Sequence, residues 1–177
     1  MKRPCIFFDR DGVVNESPGP GYVERWQDFH VMPGIGPVLQ TVDKAGYAAV
    51  VISNQRGVAI GRMTAQTVDD IHNRLQEQLH REYGVSFLDI LYCPHDRDCQ
   101  VCRKPQPGML LEAARRHDLD LRHSWMVGDQ ARDIEAGLAA GCRGIRLAPP
   151  DTVCSVAEHT VHDLDQLNRL LKRILDI

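Results

Sequence analysis

Cys5-Ile6-Phe7-Phe8-Asp9-Arg10-Asp11-Gly12 sets four apolar residues directly before two carboxylates one residue apart. A short apolar run ended by a polar break reads as a buried strand, so Asp9 and Asp11 are expected together at its C-terminal end. The ends of parallel strands are where open α/β sheets bind ligands and do chemistry. Two carboxylates there can divide labour, one as nucleophile and the other as general acid and base. An acidic turn would explain the pair taken alone. Three further segments downstream decide against it.

Outward from that strand, strand-like runs recur at 47–52, 88–92, 125–127 and 143–147. Helical periodicity fills the gaps at 35–44, 64–83, 108–117 and 132–140, with a last helix at about 164–174. Thr64 and Gly84 suit the two ends of the second helix, and Asp163 with Gln166 has capping-box spacing at the start of the last. Strands alternating with helices predict a Rossmann-like α/β three-layer sandwich around a central, mostly parallel sheet. The chain, residues 1–177, is expected to form one domain. Two long irregular stretches, 15–34 and 93–107, are expected to flank the same sheet edge as Asp9, since loops of that length are usually functional. Neither the stretch between Asp9 and Ser53 nor the one before Lys104 has room for a separate cap domain.

The 177 residues are 43% hydrophobic and 25% charged, with a formal charge of −3 and no Lys/Arg run of the kind that binds nucleic acid or an acidic membrane. No segment approaches transmembrane length, and Met1-Lys2-Arg3-Pro4 runs straight into a strand with no apolar leader between. A cytoplasmic protein acting on a small molecule, with no membrane or nucleic-acid partner, is expected, as a monomer. Among the six cysteines, Cys5, Cys142 and Cys154 stand singly; the first two lie beside apolar runs and read as small buried hydrophobes. Trp26 and Trp125 read as packing residues. The helix carrying His72, Arg74, His80 and Arg81 reads as a solvated amphipathic face, with Ile71, Leu75 and Leu79 inward.

The second strand ends in Ser53-Asn54-Gln55, where a small hydroxyl and free backbone N–H groups can hold phosphate oxygens. Arg103-Lys104-Pro105 opens the third helix with a point charge and a planar fork, both suited to phosphoryl groups. Gly128-Asp129, with Asp133 one helical turn on, adds the oxygen ligand that Mg²⁺ needs. Between strand and helix, Cys93, His95, Cys99 and Cys102 crowd three thiols and an imidazole into ten residues. Such a set suits a closed, structural Zn²⁺ site that would stiffen the loop presenting Arg103 and Lys104.

In this order, DxDG, SN, KP and GDxxxD resemble the motifs of the haloacid dehalogenase superfamily of aspartyl-phosphate enzymes. That resemblance implies Asp9 as nucleophile and Asp11 as the acid that protonates the leaving oxygen and the base that then activates water. It implies Mg²⁺ held by the Asp9 carboxylate, the Asp11 backbone carbonyl and Asp129. Ser53, Asn54 and Lys104 would stabilise the phosphoryl group, and Asp133 would orient Lys104 or a metal-bound water. The second carboxylate implies phosphoryl rather than carbon–halogen chemistry.

Cys93-Pro-His95 and Cys102-Arg-Lys-Pro105 look like the capless, zinc-containing branch that includes heptose-1,7-bisphosphate 7-phosphatases and histidinol-phosphate phosphatases. Gly21-Tyr22-Val23, Ser53-Asn54-Gln55 followed by Gly57-Val58-Ala59, and the run 102–111 resemble the heptose enzymes more closely. The implied reaction is removal of the 7-phosphate from a heptose bisphosphate, with histidinol phosphate the alternative substrate. Gly21, Tyr22, Gln55, Arg56, Arg103 and Gln130 are then the expected substrate contacts, with Arg103 toward the distal phosphate. Three departures stand out. The loop has CxxC where the family often has CxC, Gln130 replaces a usual Lys or Arg, and Arg56 replaces a usual small residue.

Overall fold

The structure, a computed structural model, describes residues 2–152 and 156–177. Its strands are β1 (Cys5–Phe8), β2 (Ala48–Asn54), β3 (Asp89–Cys93), β4 (Trp125–Gly128), β5 (Arg143–Leu147) and β6 (His159–Val161). Its α-helices are α1 (Ile35–Lys44), α2 (Ala65–Tyr83), α3 (Gly108–His117), α4 (Ala131–Ala139) and α5 (Leu164–Ile174). The strands form a six-stranded sheet in the order β3-β2-β1-β4-β5-β6, and every pairing is parallel. The chain builds outward from β1 through β2 and β3, then returns to the other side of β1 with β4. The β1/β4 junction is therefore a topological switch point, and its crevice opens at the strands' C-terminal ends.

A parallel strand covered on both faces must be apolar throughout, which is why Cys5–Phe8 shows no alternation. Ile6 and Phe8 face a core shared with α1, α2 and α5, through residues such as Leu39, Leu75 and Leu167. Cys5 and Phe7 face a second core with Met109, Leu110 and Ala113 of α3 and Ala136 of α4. Two glycines are fixed by the crowding this creates. Gly12 has φ +92°, and a Cβ there would lie 2.4 Å from Asp129 Oδ2. A Cβ on Gly128 would lie 2.2 Å from Cβ of Asp133. Gly12 lets the two acidic segments close together, and Gly128 lets the first turn of α4 fold back on the end of β4.

The bounds of α1, α3 and α5 match the periodicity, and Thr64 and Asp163 cap α2 and α5 by accepting from Thr67 N–H and Gln166 N–H. Strand β6 was not foreseen; three residues flanked by polar ones carry too little pattern. Cys5, Cys142 and Trp125 are buried as expected, and Trp26 stacks on Phe29 at 5.3 Å. Cys154 lies outside the described residues. One expectation needs correction. His72 is not on the solvated face of α2 but 5% exposed, because its imidazole meets the buried Arg10 behind β1. Among the described residues, no helix is long and apolar enough to cross a membrane.

Candidate active site

Asp9 follows β1, and its N–H donates to Val127 of β4 at 2.9 Å, so the strand pairing itself fixes where the carboxylate leaves the sheet. Lys104 reaches it from the loop before α3. The ammonium is buried, donates to Asp9 Oδ1 at 2.5 Å and to the Ile52 carbonyl at 2.8 Å, and pairs with Asp133 Oδ1 at 2.8 Å. Two hydrogen bonds and one ion pair thus hold the ammonium. Burial works against that charge, but Asp133 and Asp9 outweigh it and raise its pKa. The other oxygen of Asp133 accepts the Gln130 N–H at 2.9 Å, which starts α4. Asp133 is thus placed at Lys104, one of its two expected positions.

Asp9, Asp129 and Asp133 each bring a carboxylate oxygen within 4.8 Å of the others. One ammonium faces three buried or half-buried carboxylates. Burial first, and then repulsion from Asp133, push Asp9 up to about 8. The same two causes raise Asp129, whose Oδ1 is buried with no hydrogen-bond partner. An orphaned carboxylate oxygen inside an excess of negative charge fits a small divalent cation such as Mg²⁺, which takes one or two protein carboxylates.

Asp11 sits differently. Burial opposes its charge, but Arg10 leads the groups that override it, with Asn15 and Gln55, and its pKa is lowered. Arg10 Nη2 donates to Oδ1 at 2.9 Å and to Oδ2 at 3.1 Å, Asn15 Nδ2 to Oδ1 at 2.9 Å, and Gln55 Nε2 to Oδ2 at 3.1 Å. The two carboxylates of one motif therefore have opposite environments, which by themselves favour a proton on Asp9 rather than on Asp11. A divalent cation beside Asp9 and Asp129 would offset the repulsion from Asp133 and favour the ionised Asp9 that a nucleophile needs.

These groups line one wall of a cleft of about 410 Å³. The 15–34 loop supplies Gly21 and Tyr22, the β2 end supplies Asn54, Gln55 and Arg56, and Arg103, Asp129 and Gln130 complete the rim. Of the predicted catalytic, magnesium and substrate residues, all but the buried Ser53 and Asp133 line this cleft, and several are occupied. Gln55 also donates to Ser53 Oγ at 2.6 Å, and the Asn54 amide clasps the Lys104 backbone at 3.0 and 3.2 Å. Arg56 pairs with Asp96 at 2.5 Å, and Gln130 Nε2 donates to Asp129 at 3.2 Å. Arg97 and Arg132 also line the cleft, and sequence reasoning missed both. Arg132, two residues past Gln130 on the exposed side of the first turn of α4, was the available signal. Burial first, then Arg132, Arg56 and Arg97, lower the Arg103 pKa, and Arg103 Nη1 is buried without a partner. A guanidinium crowded by three others and short of an acceptor suits an anion.

The ligand atoms of Cys93, His95, Cys99 and Cys102 also lie within 4.8 Å of one another. The Cys99 sulfur lies 3.9 and 3.6 Å from those of Cys93 and Cys102. His95 Nδ1 lies 3.6, 3.7 and 3.2 Å from Cys93, Cys99 and Cys102. A tetrahedral zinc site has edges of about 3.8 Å between sulfurs and about 3.6 Å from sulfur to nitrogen. The sulfurs of the sixth pair, Cys93 and Cys102, are also in contact, and a four-ligand site takes all three thiols reduced. Backbone N–H groups of Val101, Cys102 and Arg103 bring Cys99 down to about 7, toward the thiolate a metal takes.

Residues 101–148 match a family described as HAD-hydrolase-like. The chain is 38% identical to a D-glycero-D-manno-heptose-1,7-bisphosphate 7-phosphatase of Thermosynechococcus vestitus, over 82% of this chain and 79% of that one. It is 36% identical to a D-glycero-beta-D-manno-heptose-1,7-bisphosphate 7-phosphatase of Rhodopseudomonas palustris, over 85% and 86%. The crystal structure of D,D-heptose 1,7-bisphosphate phosphatase from B. bronchiseptica, complexed with magnesium and phosphate, superposes with TM-score 0.85 at 30% identity, covering 98% of this chain and 99% of that one.

Magnesium should raise the melting temperature of this protein, because a cation that binds only the folded state stabilises it. Asp129→Asn should abolish that rise and leave the metal-free protein at least as stable, since it removes a like charge. Equal magnesium shifts in both proteins, read by thermal unfolding, would count against a magnesium site at Asp129.

Proposed function

The chain belongs to the D-glycero-D-manno-heptose-1,7-bisphosphate 7-phosphatase family of haloacid dehalogenase-like enzymes, and from that membership we propose that it is a magnesium-dependent phosphatase removing the 7-phosphate of a heptose 1,7-bisphosphate. The observation that carries the reading is the buried Asp9–Lys104–Asp133 cluster opening on an arginine-lined cleft. Asp9 attacks phosphorus, the bond to the sugar oxygen breaks, and an aspartyl phosphate forms. Asp11, after taking up a proton from solvent with substrate bound, gives that proton to the departing oxygen. It then takes one from the water that attacks the same phosphorus, releasing phosphate and restoring Asp9. Lys104 holds Asp9 in place and offsets charge on the phosphoryl oxygens, with Ser53 and Asn54 supporting the strand end and the lysine backbone.

The Asp9 carboxylate, the Asp11 carbonyl and Asp129 would hold Mg²⁺. That ion would neutralise charge on the phosphoryl oxygens as the bond breaks.

Arg103 and Arg132 face the distal phosphate in this reading, with Gly21 and Tyr22 against the sugar. Arg132 takes over the cation that Gln130 lacks, and Arg56 is held back by Asp96. Cys93, His95, Cys99 and Cys102 hold a structural Zn²⁺ that stiffens the loop carrying Arg103 and Lys104. The small net charge supports a chain with no nucleic-acid or membrane partner, and the singly placed Cys5 and Cys142 support a reducing cytoplasm. Exposed large apolar residues scattered along the described chain support a monomer. One domain spans the chain, without a cap.

The deciding assay compares kcat/KM, with Mg²⁺, for heptose 1,7-bisphosphate and histidinol phosphate. A preference of about a hundredfold or more for the bisphosphate is expected, worth about 2.7 kcal/mol of transition-state discrimination. The reverse order would overturn the substrate. Asp9→Asn should drop turnover below a few per cent while keeping the fold; more activity than that would remove Asp9 as nucleophile. Arg103→Ala and Arg132→Ala should each cut kcat/KM for the bisphosphate about tenfold or more, the size of a lost charged hydrogen bond, and much less for a monophosphate. Unchanged discrimination would remove them from the distal site. The reduced protein should carry one zinc by native mass spectrometry, and chelation should lower its melting temperature; a metal-free loop of unchanged stability would end the zinc assignment.

A further inference from the structure

His72 is a buried polar side chain that the chemistry above leaves unused. It sits on the inner side of α2, with Nε2 3.3 Å from Nη1 of Arg10. A guanidinium only donates, so the imidazole nitrogen facing it must present its lone pair. Arg10 is fully buried, between the His72 ring and the Phe29 ring, whose centroid lies 5.6 Å from its guanidinium carbon. The far side of the same guanidinium grips Asp11, with Nε 3.2 Å and Nη2 2.9 Å from Oδ1, and Nη2 3.1 Å from Oδ2. A continuous line of hydrogen bonds thus runs from a helix behind the sheet to a carboxylate in the cleft, through Arg10 and His72, which lie 62 apart in sequence.

We infer that His72 is a positioning residue for the reaction: by accepting from Arg10 Nη1, it fixes the plane of the guanidinium that orients Asp11 for proton transfer. The inference rests on the reading of Asp11 as the acid and base. Burial first, and then the Arg10 charge, push His72 down to about 3, so its acceptor form persists throughout the working pH range of such an enzyme. Packing alone would need no such alignment. The ring also meets Tyr92 edge to face, with centroids 5.6 Å apart, a contact that an apolar side chain could also make.

The test uses full-length protein with Mg²⁺ and heptose 1,7-bisphosphate, reading kcat, KM and melting temperature for wild type, H72L, H72Q, R10K and H72L/R10K. Misplacing a reacting group costs rate rather than binding, so H72L should lower kcat about tenfold or more with KM within about twofold. H72Q, whose Oε1 can accept where Nε2 did, should restore most of the loss. In the R10K background, H72L should add little, because the line is already cut. A folded H72L with kcat within about twofold of wild type overturns the inference, as does an H72Q no better than H72L. If H72L does not fold, H72N replaces it, since its oxygen falls at the Nδ1 position, short of Arg10; an unchanged kcat there has the same consequence. Asp11→Asn serves as control. A variant that keeps wild-type turnover would overturn Asp11 as acid and base and His72 with it, whereas an inactive one beside a normal H72L removes His72 alone.

Discussion

The ammonium of Lys104 is the point on which the rest of the structure turns. It lies buried between Asp9 and Asp133, with the Ile52 carbonyl as its third partner. Those partners come from the ends of β1 and β2 and from the start of α4, and the lysine itself precedes α3. An unpaired charge at such depth would be intolerable, so each of the four segments holds the others to their places. Breaking a buried pair by removing one partner typically costs about 3–5 kcal/mol. The sheet order serves this knot: β1 must be flanked by β2 and β4 for the three strand ends to meet.

Much of this is legible in the sequence. The apolar run Cys5–Phe8 is uninterrupted because both faces of β1 are covered, and that alone located the strand end and Asp9. Helices α1, α3 and α5 have strong 3.6-residue patterns and clear ends, and their bounds were read correctly. Spacing within the motifs also predicted which side chains share the cleft, because each follows a strand and all strands run the same way. The four zinc-type ligands were found as a local cluster for the same reason.

What failed were relations that only tertiary contact creates. His72 follows Ile71 on a helix rich in charge, so periodicity placed it in solvent; its partner Arg10 is a long-range neighbour that no local pattern can supply. Arg10 itself lies between two acids in a polar motif yet is fully buried. Arg97 and Arg132 are ordinary surface arginines by sequence, and only the arrangement of two loops turns them toward one cleft. Arg56 and Gln55 were predicted at the cleft and lie there. Their polar atoms are spent on Asp96, Asp11 and Ser53.

Asp133 spends its two oxygens on different tasks, one on the Gln130 N–H that begins α4 and one on Lys104. Helix starts usually fray at small free-energy cost, and amide hydrogens there exchange early. Here the first turn cannot open without stripping a counter-charge from a buried lysine. The Gln130 amide, which donates to Asp133, is therefore expected to exchange only when that pairing opens, so its solvent protection reports whether the nucleophile's surroundings are intact.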